Sequence, residues 1–353
     1  MAQVNPYFED IQRGLRQYDF TSLDGSRILI TGATGLIGGC LVDILMHDDS
    51  QCHVYALGRN ETRARHRFAD YWQHERFHFV KGDVTEPLPV DVAFDYIIHA
   101  ASNASPNFFK EKPVEVVKAN ITGVERLMEY GLAHQMRRML FVSSGEIYGE
   151  RQNHDLASTG GERLAGAFRE TDSGYIDCTT PRACYPSSKR AAETLCVSYA
   201  AEYGADVVIA RPCHTYGPYF TESDNRVYAQ FIRNVLRGED IVMKSKGEQY
   251  RSWIYVVDCA AAILLLLAKG QSGEAYNVAH ADSNITIRQL AEKIAGIGGR
   301  KVVMQITEDG NTTPITKAVF STEKIEQLGW RPLFSIDEGL SHTLDSSDDL
   351  SCA

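Results

Sequence analysis

Arg27-Ile-Leu-Ile-Thr-Gly-Ala-Thr-Gly-Leu-Ile-Gly38 decides the fold. Ile28, Leu29 and Ile30 form a short apolar run, the pattern of a strand buried on both faces. A glycine-rich turn follows, and the residues from about Leu36 to His47 read as a helix. Gly32, Gly35 and Gly38 permit a tight turn and let the backbone approach a pyrophosphate. The helix start adds N–H donors and a positive dipole end. Set between a strand and a helix, the string reads as a dinucleotide loop and not as an ordinary glycine-rich turn. Thr34, Leu36 and Ile37 lie between the glycines and join them as candidate cofactor contacts.

Working outward, the same alternation repeats. Short apolar runs at 53–57, 77–80, 96–99, 139–143 and 206–210 read as further strands. Segments 113–131 and 190–203 read as helices, the first carrying Val117, Ile121, Val124, Leu127 and Met128 on one face. Continuous apolar strands alternating with helices predict an α/β protein: a Rossmann, doubly wound parallel sheet covered on both faces. After Arg211 the pattern gives way to turns and short helices at 228–236, 286–296 and 322–328, which predicts a smaller C-terminal substrate lobe. The expected boundaries are an extension at 1–25, a dinucleotide domain at 26–211 with about 253–272, and the second lobe at 212–252 and 273–345. In the extension, Tyr7, Phe8, Ile11, Leu15 and Tyr18 recur at helical spacing, for packing on the body or for contact with a second copy. Residues 150–177 form a long loop, either a lid or a surface insertion.

The length of 353 residues suits about two lobes. A net charge of −10 disfavours general binding to nucleic acid or an anionic membrane. The longest apolar stretch, Ala260 to Ala268, is too short to cross a bilayer. The N-terminus lacks the pattern of a secretory signal. Eight cysteines without paired spacing predict free thiols in a reducing cytoplasm, and no metal site is expected.

Two further strings carry chemistry. The fifth strand runs into Ser143-Ser-Gly-Glu-Ile-Tyr148, and Tyr185-Pro-Ser-Ser-Lys189 follows. A Tyr and a Lys four apart share one helix face. A neighbouring ammonium stabilises phenolate, so Tyr185 is suited to take a proton from a hydroxyl while the carbon gives hydride to a nicotinamide. Ser144 is placed to hydrogen-bond the same hydroxyl. The second strand ends Gly58-Arg59-Asn60 with no acid for the adenosine ribose. Arg59 suits a 2′-phosphate, which favours NADP over NAD, with a solvated arginine as the plain alternative. Asp83 and Val84, after the third strand, are placed to meet adenine.

The chain resembles the extended short-chain dehydrogenases/reductases of the nucleotide-sugar epimerase/dehydratase family. The resemblance covers about residues 26–345 and rests on TGATGLIG (31–38), HAAS (99–102), VSSGEIYG (142–149), YPSSK (185–189), RPCHTYGP (211–218) and RSWIYVVD (251–258). It implies Tyr185 as acid/base, Lys189 as the group that lowers its pKa and holds the nicotinamide ribose, and Ser144 as helper. It implies further cofactor contacts at Ala100, Ala101 and Asn120. For a nucleotide-sugar substrate it implies Ser102, Ser105, His214, Arg226 and Arg251. A homodimer built around the helix carrying Tyr185 is also implied.

Within the family, His99-Ala-Ala-Ser-Asn-Ala-Ser-Pro106 and Asn225-Arg-Val-Tyr-Ala-Gln-Phe-Ile232 resemble strings of UDP-glucuronate decarboxylases. Glu146 is shared by those enzymes and the dTDP-glucose 4,6-dehydratases. The dehydratases carry an Asp just before it, the acid for the leaving hydroxyl at C6; here that residue is Gly145. His214 stands where relatives carry Asn. The favoured expectation is oxidation at sugar C4 followed by decarboxylation. A 4-epimerase or a 4,6-dehydratase is the alternative, and a non-catalytic NAD(P)-sensing protein is the reading from another class.

Overall fold

The computed structural model describes residues 5–151, 166–306 and 317–347. Residues 152–165, half of the expected loop at 150–177, lie outside them.

Seven strands form one parallel sheet: β1 (Arg27–Thr31), β2 (His53–Gly58), β3 (Phe77–Lys81), β4 (Tyr96–His99), β5 (Arg138–Val142), β6 (Val207–Pro212) and, later in the chain, Ala275–Val278. Their spatial order is β3-β2-β1-β4-β5-β6 and then the late strand. The order reverses between β1 and β4, and in such sheets ligands bind outside the strand ends at that switch point.

Side-chain alternation sends the two faces of each strand to different helices. Ile28, Ile30, Ile98 and Leu140 pack beneath α2 (Leu36–His47) and the late helix Val256–Lys269. Leu29, Ile97, Met139 and Phe141 pack beneath α5 (Pro113–Ala133) and α6 (Cys184–Tyr203). The helix preceding α2 is α1 (Pro6–Gln17), and α3 (Glu61–Arg67) and α4 (Pro106–Glu111) lie between α2 and α5 in the chain. Ten of the twelve residues of α2 are buried, because it is covered by the sheet, by α1 and by the Val256–Lys269 helix.

The remaining elements build a smaller assembly. Its centre is β9 (Tyr250–Tyr255), paired with β7 (His214–Tyr216), β11 (Asn284–Thr286) and β13 (Lys317–Ala318). A separate parallel pair joins β8 (Ile241–Met243) to β12 (Val302–Met304). Helices α7 (Val227–Leu236), α8 (Val256–Lys269), α9 (Ile287–Ile297), α10 (Glu323–Glu326) and α11 (Ile336–Asp345) complete the chain, and α7 packs on α9.

Three details depart from the sequence pattern. Ala275–Val278, expected in the second lobe, is β10 and extends the main sheet beside β6. Helix α8 covers a sheet face, so the chain leaving it returns to the adjacent edge in parallel, the usual crossover. Residues 253–255, expected with the first lobe, lie in β9 of the smaller sheet. Helix α6 begins at Cys184 and not near Arg190, which places Tyr185 and Lys189 on its opening turns.

The extension packs on the body of its own chain. Tyr7 and Ile11 are buried, and the Tyr7 hydroxyl donates to Asp43 Oδ2 at 2.6 Å. Arg67 of α3 holds the same carboxyl. On the next turn Asp10 accepts from Tyr255 at 3.0 Å and pairs with His342 of α11 at 2.8 Å. Helix α1 therefore straps α2 to α11. Tyr7→Phe removes one donor from a buried carboxyl, and urea unfolding should show a loss of about 1.5–3 kcal/mol.

Candidate active site

The glycine loop is built for close approach. Gly32 has φ +66°, and a Cβ there would stand 2.7 Å from Ala101 Cα and 2.8 Å from Ala100 O. A Cβ on Gly38 would stand 2.3 Å from Gly32 O. Gly35 caps α2 with no side-chain acceptor, so the opening N–H groups of that helix are free for an anion. Leu36 is buried against the core and Ile37 packs at its edge. Arg63 donates to Thr34 O at 2.8 Å and fixes the loop from α3. These features fit a dinucleotide: the turn packs against its own backbone too tightly for side chains, and the N–H groups opening α2 are left for a pyrophosphate.

Behind the loop, Thr31 and His99 join the ends of β1 and β4. His99 Nε2 donates to Ala119 O at 3.1 Å, so its Nδ1 accepts from the Thr31 hydroxyl at 2.8 Å. The Ala101 N–H then donates to Thr31 Oγ1. Burial, with help from the Lys189 charge, pulls His99 down to about 3, so it stays neutral and this chain of bonds keeps its direction.

The adenosine end is more crowded than the sequence suggests. Arg59 is largely exposed but faces Asp83 at 3.6 Å and Glu115 at 3.9 Å. Asp83 accepts the N–H and hydroxyl of Thr85. Burial pushes its carboxyl up, and Thr85 and Arg59 more than offset this, leaving it below the ordinary value. The Val84 side chain points into the core, so only its backbone is available. Arg59, Lys81 and Arg65 line a surface hollow of about 420 Å³.

At the chemical centre, Tyr185 is buried with its ring stacked on Phe109 at 5.0 Å. Ser144 ends the β5 run and lies near enough to pull on the phenol. Burial pushes Tyr185 up to about 12; Glu146 adds to this, while Ser144, Arg226 and Arg182 oppose it. Lys189 sits 5.8 Å from the Tyr185 ring centre, donates to Val142 O at 2.7 Å and lies over the Phe141 ring. Burial lowers it to about 7, with Glu193 opposing. The sequence expectation of a strong ammonium lowering the phenol is thus altered: desolvation outweighs charge at both groups. Asn120 donates to Ser188 Oγ at 2.8 Å, and Ser188 in turn donates to Cys184 O at 2.5 Å, with Tyr185 O a longer second acceptor at 3.2 Å. Asn120 therefore supports the Tyr185 turn, and its buried Oδ1 has no hydrogen-bond partner among the described residues.

The expected substrate residues converge from several elements. Glu146 pairs with Arg182 at 2.7 Å and acts on both Tyr185 and Arg251. Arg226 opens α7, is gripped by Asp224, and faces Tyr185. His214 lies beside Arg226 and Arg251; burial and then these two charges bring it to about 3, and its Nδ1 is buried with no partner among the described residues. Ser105 donates to Asn225, tying the segment after β4 to the start of α7, and the Ser102 hydroxyl is likewise unpartnered. The sequence reading missed Phe109, Arg182 and Phe320, whose ring tip covers Gly145. None sits in a motif string, and only the fold brings them to the site.

A model of the family described as NAD dependent epimerase/dehydratase matches residues 28–279. The chain belongs to this NAD-dependent epimerase/dehydratase family. Among its relatives, UDP-glucuronic acid decarboxylase 6 of Arabidopsis thaliana is 33% identical over 315 residues, 89% of this chain and 86% of that one. UDP-glucuronic acid decarboxylase 1 of Xenopus tropicalis is 32% identical over 91% of this chain and 72% of its own length. The solved dTDP-glucose 4,6-dehydratase of Streptomyces venezuelae, with NAD bound, is 25% identical with a TM-score of 0.74, covering 90% of this chain and 95% of that one.

For this epimerase/dehydratase family member the buried lysine has a measurable signature. In ligand-free protein carrying isotope-labelled lysine, one side chain should titrate near pH 7 by NMR and vanish in Lys189→Met. Glu193→Gln removes the opposing charge, so the midpoint should move lower still.

Proposed function

We propose that this chain oxidises a nucleotide sugar at C4 and decarboxylates it, as a UDP-glucuronate decarboxylase does. The carrying observation is the set Tyr185, Ser144 and Glu146 around a Gly145 that is closed by Phe320. The names and coverage of its relatives support the reading.

The glycine loop and Lys189 would hold NAD(P), which would supply reversible hydride transfer at C4. Tyr185 takes the proton of the C4 hydroxyl, and Ser144 holds the same oxygen. Asn120 and Ser188 orient the Tyr185 turn. Lys189, once protonated, holds the nicotinamide ribose and favours the phenolate. The 4-ketone is β to the C6 carboxylate. The C5–C6 bond breaks, its electron pair passes into the C4 carbonyl as an enolate, and CO2 leaves. C5 then takes a proton from solvent, and Tyr185 returns its proton to O4 as C4 is reduced. No acid is needed at C6, which suits Gly145. Dehydration needs one. Arg226, Arg251 and neutral His214 supply the positive and polar surface for a diphosphate, with Ser102 and Ser105 nearer the sugar. Epimerisation at C4 needs only Ser144, Tyr185 and Lys189 and is the second reading.

The seven-stranded sheet (26–211, α8 and β10) is the dinucleotide domain in this reading, with Gly32, Gly35, Gly38, Ala100 and Ala101 along the cofactor and Asp83 and Val84 at adenine. The smaller sheets hold the nucleotide sugar. NADP is the preferred dinucleotide: a 2′-phosphate would displace Asp83 and Glu115 from Arg59 and meet Lys81 and Arg65 in the same hollow. A cytoplasmic homodimer completes the reading, with exposed Val197 and Tyr203 on α6 as its contact face.

The purified protein, with its dinucleotide identified after denaturation, should convert UDP-glucuronate with loss of the mass of CO2, read by mass spectrometry. Tyr185→Phe should cut turnover about 10²–10⁴-fold. Loss of water from a UDP- or dTDP-hexose would overturn the reading in favour of a dehydratase. Unchanged mass with a new retention time would mean an epimerase.

A further inference from the structure

Gly145 lies between two residues that act on Tyr185, yet nothing in its own backbone calls for glycine. Its φ is not in the left-handed region, so any residue could adopt it. Space alone decides. A Cβ at 145 would stand 2.4, 2.7 and 3.0 Å from three atoms at the tip of the Phe320 ring. Real Cβ atoms do not come so close, so a side chain fits only if the ring moves.

The ring is not free to move. Phe320 is 2% exposed and packs with Tyr148 and Phe168, at 5.6 and 6.2 Å between ring centres. Its backbone is pinned on both sides. The Phe168 N–H donates to Val319 O at 2.7 Å, and the Ser321 N–H donates to Phe168 O at 2.8 Å. The Phe320 N–H itself donates to Ser252 Oγ, beside Arg251 on β9. The second assembly thus pushes an aromatic edge between Ser144 and Glu146.

We infer that Phe320 is a specificity-determining residue: its ring bars any protic side chain or water from the space over Gly145. Among the described residues, Glu146 is the carboxyl that acts on Tyr185, and it is already paired with Arg182. A 4-keto hexose loses its C6 hydroxyl only when a proton is delivered to that oxygen; a 4-keto uronate has a carboxylate in its place and loses CO2 without an acid. An apolar wall at this point suppresses loss of water from a 4-keto hexose and leaves loss of CO2 from a 4-keto uronate open. This rests on the C4-oxidation reading above, and Phe320 acts by packing, not by touching the reacting bonds.

The test compares Phe320→Ala, Phe320→Leu and the wild type on UDP-glucuronate and on UDP-glucose, with loss of CO2 from the first and loss of water from the second read by mass spectrometry. Phe320→Ala should raise the rate of water loss from UDP-glucose relative to CO2 loss from UDP-glucuronate roughly tenfold or more. Phe320→Leu, which keeps an apolar wall, should keep the wild-type ratio. An equal ratio in all three, or Leu behaving as Ala, overturns the inference. If Phe320→Ala does not fold, Gly145→Ala is compared with Gly145→Ala/Phe320→Leu. The single variant should lose activity and the shorter Leu should recover it; no recovery overturns the inference. If the wild type converts another donor instead, the decarboxylase reading fails, and the same variants measured on that donor still judge the wall. If it converts none, both fall.

Discussion

Everything in the site depends on how closely the ends of β1 and β4 approach each other at the switch point. Gly32 permits it: a methyl group there would overlap Ala100 and Ala101. The Thr31–His99 bond then locks the two strand ends in register, and Ala119 locks His99 to α5. Because His99 is buried and uncharged, this lock does not loosen across the physiological pH range. The glycine loop on one side and the Tyr185 helix on the other both take their positions from it, since α5 packs along α6 and Asn120 of α5 holds Ser188 of α6.

A second constraint is dehydration of the chemical centre. Tyr185 and Lys189 are both buried, and both shift towards their neutral forms. Fixed charges around them act in both directions, some with burial and some against it. Glu146 makes the phenol harder to ionise, whereas Arg226 and Arg182 make it easier. Glu193 supports the lysine charge from one helical turn away and is itself fixed by the Arg211 fork and by Ser143. The site therefore draws its charges from both assemblies. Arg226 comes from α7, Arg251 from β9 and Glu146 from the turn after β5.

Much of this was legible in the chain. The apolar runs from Ile28 to Ala210 gave six of the seven main strands, because a strand buried on both faces has no polar alternation to hide it. The glycine loop and the Tyr185–Lys189 pair were readable because their chemistry depends on local spacing. β10 was not, since Ala275–Val278 is four residues with a buried Asn277, and only its place beside β6 makes it a sheet strand. The opening of α6 was hidden by Pro186, which the first turn of a helix accepts but which reads as a breaker in the sequence.

The sequence by itself determined the layered α/β fold, the glycine loop and the placing of Tyr185 and Lys189 on one helix face, because each is specified by residues close together in the chain. The tertiary structure decided what surrounds them. Residues far apart in sequence, such as Phe320 over Gly145, Glu115 beside Arg59 and Asp10 against His342, meet only after the sheet closes. Burial, which sets the charge state of Tyr185, Lys189, His99 and His214, is a property of that assembled whole and has no signature in any single segment.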